Sequence, residues 1–369
     1  MRRLFNDGWR FVKLPLGSDI EDARAAAWAR VDLPHDFLIH QADDLYESCD
    51  GWYARTLSAP EDWLGKRVLL RFDGVYMDCD VLLNGGIVCT HHYGYTAFDA
   101  DLTDALRPGE NELMVRIRHA SPNTRWYSGA GIFRDVTLHV LEPRHIPLDG
   151  VYVTTERGGE AWTMTVETEV VGEGDEQPAH RLSDGNGQVV ASAEGANAVM
   201  SVNAPALWHP DEPNLYTLET RLGDQVIRQN VGFREFAFSP DTGLKVNGRP
   251  VKLRGVCLHH DLGALGAAFH IKAARRQLRA MKAMGVNALR TSHNPPARQV
   301  LDLCDELGIL VDDELLDMWV RPKTDFDYAR FFPTDMPADV RSWVRRDRNH
   351  PCLLMWSLGN EILDTHLDE

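Results

Sequence analysis

The chain has 369 residues, 44% of them apolar and 25% charged, enough for two or three domains with ordinary cores. Its 39 Lys and Arg against 55 Asp and Glu leave a net charge of −16, which argues against nucleic acid as the partner, because phosphate binding needs a basic footprint. No apolar run approaches a membrane span, "MRRLFNDGWRF" lacks the apolar stretch of a signal peptide, and the six cysteines are scattered without metal spacing; the expectation is a reduced, cytoplasmic protein with no membrane partner, metal or cofactor.

Residues 1–142 read as short strands. "RVLLRFDGVYMDCDVLLNGGIVCTHHYGYTAFDADL" alternates apolar and polar residues between Gly, Asn and Asp turns, and "NGG" at Asn84–Gly86 predicts a hairpin. In "NELMVRIRH", Leu113, Val115 and Ile117 share one face. Only "SDIEDARAAAWA" has helical character. A jelly-roll β-sandwich is expected. Residues 143–238 continue in strands ("VYVTTER", "AWTMTVETEVV", "QVVASAEG", "LYTLETRL") at a spacing that suits an immunoglobulin-like sandwich, with "EGDEQPAHRLSDGNGQ" as an edge loop.

In residues 239–369 strands and helices alternate. The strands are "VKLRGVCL", "VNALRT", "ILVDD" and "CLLMWSL". Between them "IKAARRQLRAMKAMG" places Ile271, Ala274, Leu278, Met281 and Met284 on one stripe and ends at Gly285. "RQVLDLCDELG" does the same with Val300, Leu301, Cys304 and Leu307 before Gly308. "PADVRSWVRRD" opens a third helix with Pro337 in its first turn. Continuous apolar strands alternating with helices predict a parallel sheet covered by helices, as a doubly wound sheet or a (β/α)8 TIM barrel. No strand-to-helix turn carries a G-x-G-x-x-G or P-loop pattern, which favours the barrel. About 125 residues follow Gly243 and a barrel takes about 250, so the expectation is the first half of one.

Barrel chemistry sits on the loops after the strands, and these are rich in suitable groups. "GNE" ends the fourth strand. A partly desolvated Glu361 there has the makings of a general acid, or else caps the next helix, and Asn360 is suited to a substrate hydroxyl. "RTSHNPP" supplies Arg290, to orient a carboxylate, with His293 and Asn294. "DDELLDMW" adds Asp313, Glu314 and Trp319, the last a sugar platform or a core residue. "HHD" adds His259, His260 and Asp261. Adjacent side chains diverge and no third partner has metal spacing, so no metal is expected.

"RWYSGAGIFRDV", "LWHPDEPNLYTL", "VGFREFAF", "LKVNGRPVKLRGVCLHHDLGALGAA", "LRTSHNPPA", "GILVDDELLDMW" and "RDRNHPCLLMWSLGNE" occur in an order that closely resembles the glycoside hydrolase family 2 enzymes, which include β-galactosidases, β-glucuronidases and β-mannosidases. The resemblance implies hydrolysis of a β-linked sugar with retention, by two carboxyls about 5 Å apart. It implies Glu361 as acid/base and Asn360 at the sugar 2-hydroxyl. Arg290 and His293 support the carboxylates and the sugar, and Asp317 and Trp319 line the pocket. Asn294, His260 and Asp261 are placed at the substrate as well. Asn123–Gly129 matches a first-domain loop that reaches the barrel mouth. "HHDLGALGAA" with the "DMW" loop looks most like β-galactosidases. The family's nucleophile is a second Glu on a later strand. Glu314 matches the "DE" after strand three and not that nucleophile, and Leu315 departs from the small residue usual there. The chain by itself is therefore expected to be inactive, homo-oligomers are possible, and a non-catalytic sugar-binding module is the competing reading.

Overall fold

The computed structural model describes residues 1–39 and 44–366. The alternation in the first domain resolves into two antiparallel sheets. One has four strands, in the order Arg2–Leu4, Val136–Leu141, Arg67–Phe72 and Phe98–Asp101. The other has six, in the order Ala29–Val31, Trp9–Pro15, Cys49–Ala59, Gly109–His119, Cys79–Leu83 and Gly86–His91. Leu70, Phe72 and Leu138 of the first meet Tyr53, Val115 and Ile117 of the second in one buried cluster. Asn84 and Gly85 form the tight hairpin turn at φ 54° and 85°, the paired positive values that a type I′ turn requires. The helical stretch shortens to Ile20–Ala25, started by an Asp19 carboxylate that accepts from the amides of Glu21 and Asp22.

The second region is again two antiparallel sheets. Three strands (Val151–Gly158, Ala161–Thr168, Asn197–Asn203) face four (Val189–Glu194, Ala179–Ser183, Tyr216–Leu222, Gln225–Val231) around Trp162, Met164, Leu182, Leu218 and Phe233. The expected edge loop "EGDEQPAHRLSDGNGQ" contains one of these strands. Ala179–Ser183 lies between two partners and buries His180 and Leu182. Polar composition hid the alternation there, because the buried His180 is satisfied by Thr220 Oγ1 at 3.0 Å and the Gly195 carbonyl at 3.1 Å.

The third region is a parallel sheet of β1 (Gly255–Leu258), β2 (Ala288–Thr291), β3 (Leu310–Glu314) and β4 (Leu353–Ser357), in sequential order. Sequential order fits a barrel wall, whereas a doubly wound sheet reverses direction partway. α1 (Ile271–Ala283), α2 (Arg298–Leu307) and α3 (Phe332–Asp347) connect the strands. Gly308 closes α2 at φ 66°, where a Cβ would fall 2.2 Å from the Pro210 carbonyl of the second domain.

Four expectations change here. β1 is only the last four residues of "VKLRGVCL". α1 buries Ala274 and Leu278, but the ends of its stripe, Ile271 and Met284, are exposed, Met284 by 74%. α3 begins five residues before Pro337, with Pro333 in its first turn, so Pro337 lies inside the helix. β4 is a continuous apolar run, as expected of a covered strand, yet Met355 and Trp356 are exposed, because β4 pairs only with β3 and forms an edge of the sheet.

Candidate active site

Strand alternation decides what faces the site. Arg290 pairs in register with Cys257 and Asp312, and Asp312 with Met355; Glu314 pairs with Ser357 one step further on. These residues lie on one face of the sheet. Asp313 points the other way, into the helices, where Trp343 Nε1 donates to it at 2.8 Å. Burial, reinforced by Asp347, pushes the Asp313 carboxyl well above the usual range, and it takes no part in the site.

Glu314 is fully buried at the C-terminal end of β3. It accepts from His293 Nδ1 at 2.5 Å, Arg290 Nη2 at 2.6 Å and Ser357 Oγ at 2.7 Å. Burial alone would raise its pKa, but the bonds from His293, Ser357 and Arg290 outweigh that and hold the carboxyl below its ordinary value. Arg290 Nη2 also reaches Asn360 Oδ1 at 3.0 Å, and Asn360 Nδ2 donates to Asp317 Oδ1 at 2.8 Å. Asp317 accepts from Arg125 through Nε at 2.9 Å and Nη2 at 2.6 Å, and from Lys323 Nζ at 3.0 Å. Burial is again the largest influence on Asp317, and these donors overcome it to keep the carboxyl ionised at lower pH than usual. The chain of contacts ends at Glu361, whose Oε2 lies 3.2 Å from Arg125 Nη1.

The structure brings together Arg290, His293, Asp317, Asn360 and Glu361. It moves others out. Glu361 is 68% exposed, so the expected desolvation is absent; it follows β4 at φ 46°, turned outward beside Arg125. His260 lies half-buried among Phe133, Phe269 and Tyr95, with Nε2 on the Ala267 carbonyl; burial and then Arg134 push it well below the usual histidine range. Its neighbour His259 takes the site face instead, 4.8 Å from the Trp126 ring and 5.4 Å from His293. Asp261 is exposed in a turn, and Asn294 is buried and bonded to the Ser292 carbonyl, so neither joins the network. Trp319 stacks on Phe332 and donates from Nε1 to the Leu358 carbonyl at 3.1 Å, which braces the loop that carries Asn360.

Arg125, Lys323 and Ser357 were not singled out from the sequence. Arg125 lies inside the quoted Asn123–Gly129 loop, but nothing local marks it over its neighbours. Its partners Asp317 and Glu361 are 192 and 236 residues away. His259 was legible in principle, because it continues the side of β1 that carries Cys257.

Two sandwiches followed by a parallel β/α wall, with a carboxylate network on the loops at the strands' C-terminal ends, define a multidomain protein whose polar site lies at the mouth of a barrel wall. Residues 5–142 match the sugar-binding domain and residues 240–366 the TIM barrel domain of glycosyl hydrolases family 2, residues 146–234 between them match a further model of glycosyl hydrolases family 2, and the chain belongs to that family. It is 40% identical to the beta-galactosidase BoGH2A of Bacteroides ovatus, over 99% of this chain and 47% of that protein. It is 30% identical to a beta-glucuronidase of Bacteroides fragilis, over 90% and 53%. A crystal structure of a family 2 member from Bacteroides cellulosilyticus superposes with a TM-score of 0.92 at 35% identity, covering 99% of this chain and 52% of that one. A beta-glycosidase from Bacteroides vulgatus gives 0.89 at 33% identity, covering 98% and 50%. The chain thus spans about half the length of the curated relatives it matches.

Proposed function

We propose that this chain is the leading part of a retaining β-glycosidase, with β-galactosides as its first candidate substrates. The observation that carries the reading is the continuous network from Glu314 through Arg290, Asn360 and Asp317 to Arg125 and Glu361. It fixes an amide and a carboxyl side by side at the mouth of the sheet. In this reading Glu361 protonates the leaving glycosidic oxygen and then, as a carboxylate, takes a proton from the incoming water. Asn360, held by Arg290 on one side and Asp317 on the other, offers its remaining N–H to the sugar 2-hydroxyl. His293, set by Glu314, faces the sugar. The second carboxylate of the retaining pair comes from later in the barrel, so the 369 residues alone are expected not to turn over. The galactoside preference rests on the similarity to BoGH2A; the similarity to a beta-glucuronidase makes β-glucuronides the second substrate class.

The test uses the gene product that carries the remaining barrel strands. Glu361→Gln is expected to slow a poor leaving group such as an alkyl galactoside by about 10²–10⁴-fold. A nitrophenyl galactoside, which departs without a proton, is expected to suffer far less in the glycosylation step. Equal losses on both would remove Glu361 from the acid role.

A further inference from the structure

Two buried guanidinium groups hold the loop that carries His293, and they grip it at consecutive residues. Arg134 is 1% exposed and Arg346 3%. Arg134 belongs to the first domain, in "IFRDV" just ahead of the strand Val136–Leu141, and its Nη2 donates to the Pro295 carbonyl at 2.8 Å. Arg346, in the last turn of α3, donates from Nη2 to the Pro296 carbonyl at 2.9 Å. His293 stands two residues ahead of the first of these carbonyls.

The two arginines differ in what balances their charge. Arg346 is paired with Asp347, Nε to Oδ1 at 2.6 Å and Nη2 to Oδ2 at 2.5 Å. Arg134 donates instead to the carbonyls of Asp73 at 3.3 Å, Tyr95 at 2.9 Å and Pro295, and to His260 Nδ1 at 3.4 Å. Its Nε has no partner among the described residues. Burial, and then the charge of Arg346, push Arg134 down to about 9. Burying a cation without a paired carboxylate is costly, and an apolar side chain of similar volume would join the two domains without that penalty. The slot is also shaped for this side chain. A Cβ on Gly74 would fall 2.8 Å from Arg134 Cδ, and the Phe133 ring centroid lies 5.0 Å from the guanidinium carbon. Pro295 and Pro296 stiffen the link between the gripped carbonyls and His293, so a displacement at one end is carried to the other.

We propose that Arg134 is a positioning residue of the active centre: the first domain reaches across and sets, through the Pro295 carbonyl, where the His293 imidazole stands against Glu314. Its bearing on catalysis rests on His293 facing the sugar, as proposed above; the coupling itself does not.

The experiment needs no substrate. The chain, isotope-labelled at histidine, is followed by NMR. Arg134→Met keeps the volume and removes the donors. The His293 ring signals are expected to move or broaden, and the Nδ1 proton, downfield through its bond to Glu314, to be displaced or lost. His180, inside the second sandwich, is expected to stay put. Arg134→Lys, which keeps a donor, is expected to return the signal part of the way. Should Arg134→Met fail to fold, Gly74→Ala presses on Arg134 without removing its charge and is expected to move His293 likewise. An unchanged His293 in a folded Arg134→Met or Gly74→Ala chain overturns the proposal, as does a Lys variant indistinguishable from Met. A gene product that hydrolyses no glycoside would remove the glycosidase reading and leave this one standing.

Discussion

At the scale of the residue, Glu314 is the junction on which the site depends. A fully buried carboxylate with three donors is stable only while those donors stay. Glu314→Gln removes the charge that Arg290 and His293 face and is expected to cost about 2–3 kcal/mol at neutral pH, read by urea unfolding. The folded carboxyl lies below its ordinary value, so its contribution is complete above about pH 4.3 and fades as pH falls through the lower folded value. The gap between wild type and Glu314→Gln is therefore expected to close in acid; a constant gap from pH 7 to pH 3 would contradict the assigned ionisation. The sequence showed Arg290, His293, Asn360 and Glu361 because each stands at or just past a strand end, a local fact. It did not show Arg125 or Lys323, whose roles exist only once distant loops meet. The strand's period of two turns the adjacent His259 and His260 to opposite sides, and only the packing of Trp126 and His293 around His259 shows which of them faces the network.

At the scale of the element, composition and periodicity carried most of the fold. The Asn84–Gly85 turn, the buried face of Leu113, Val115 and Ile117, and the glycine ends of two barrel helices follow from local rules. The misses have local rules that lost to tertiary context. A polar strand, Ala179–Ser183, is kept by partners on both sides. α3 runs through Pro337 because contacts hold it on both sides of the proline: Phe332 stacks on Trp319 ahead of it, and beyond it Asp339 accepts from Thr96 Oγ1 at 2.6 Å and buried Trp343 bonds Asp313. An interior proline lacks the N–H that would bond the Pro333 carbonyl, at a cost of up to about 3 kcal/mol against alanine, partly offset by the stiffer unfolded chain. Pro337 is exposed, so Pro337→Ala is expected to stabilise the protein by about 1–2 kcal/mol, seen as a higher urea midpoint with an unchanged slope. A lower midpoint would mean that α3 needs the irregularity.

At the scale of the whole molecule, the three domains meet at one carboxylate. Asp149 lies in the connector before the second sandwich. It pairs with Arg71 of the first domain and, at 3.3 Å, with Arg298 at the start of α2, while its carbonyl accepts from Arg348 at 3.2 Å near the end of α3. Burial opposes its ionisation, but Arg71 and then Arg298 prevail and hold the carboxyl at about 2. Against an ordinary value of about 3.9, that shift corresponds to about 2–3 kcal/mol of stability. The backbone sits at φ 55°, a conformation asparagine adopts as readily as aspartate, so Asp149→Asn removes charge without adding strain. A depressed folded pKa contributes in full above the unfolded value and is lost as pH falls through the folded one. The variant is therefore expected to lose about 2–3 kcal/mol at pH 7, and its deficit to shrink to about half by pH 3. Because the contact joins three domains, the loss is also expected to split a single urea transition into separated steps, with tryptophan fluorescence and far-UV dichroism no longer coincident. Coincident transitions with a pH-independent deficit would show that the domains are held by their apolar contacts and that Asp149 only fills a gap between them.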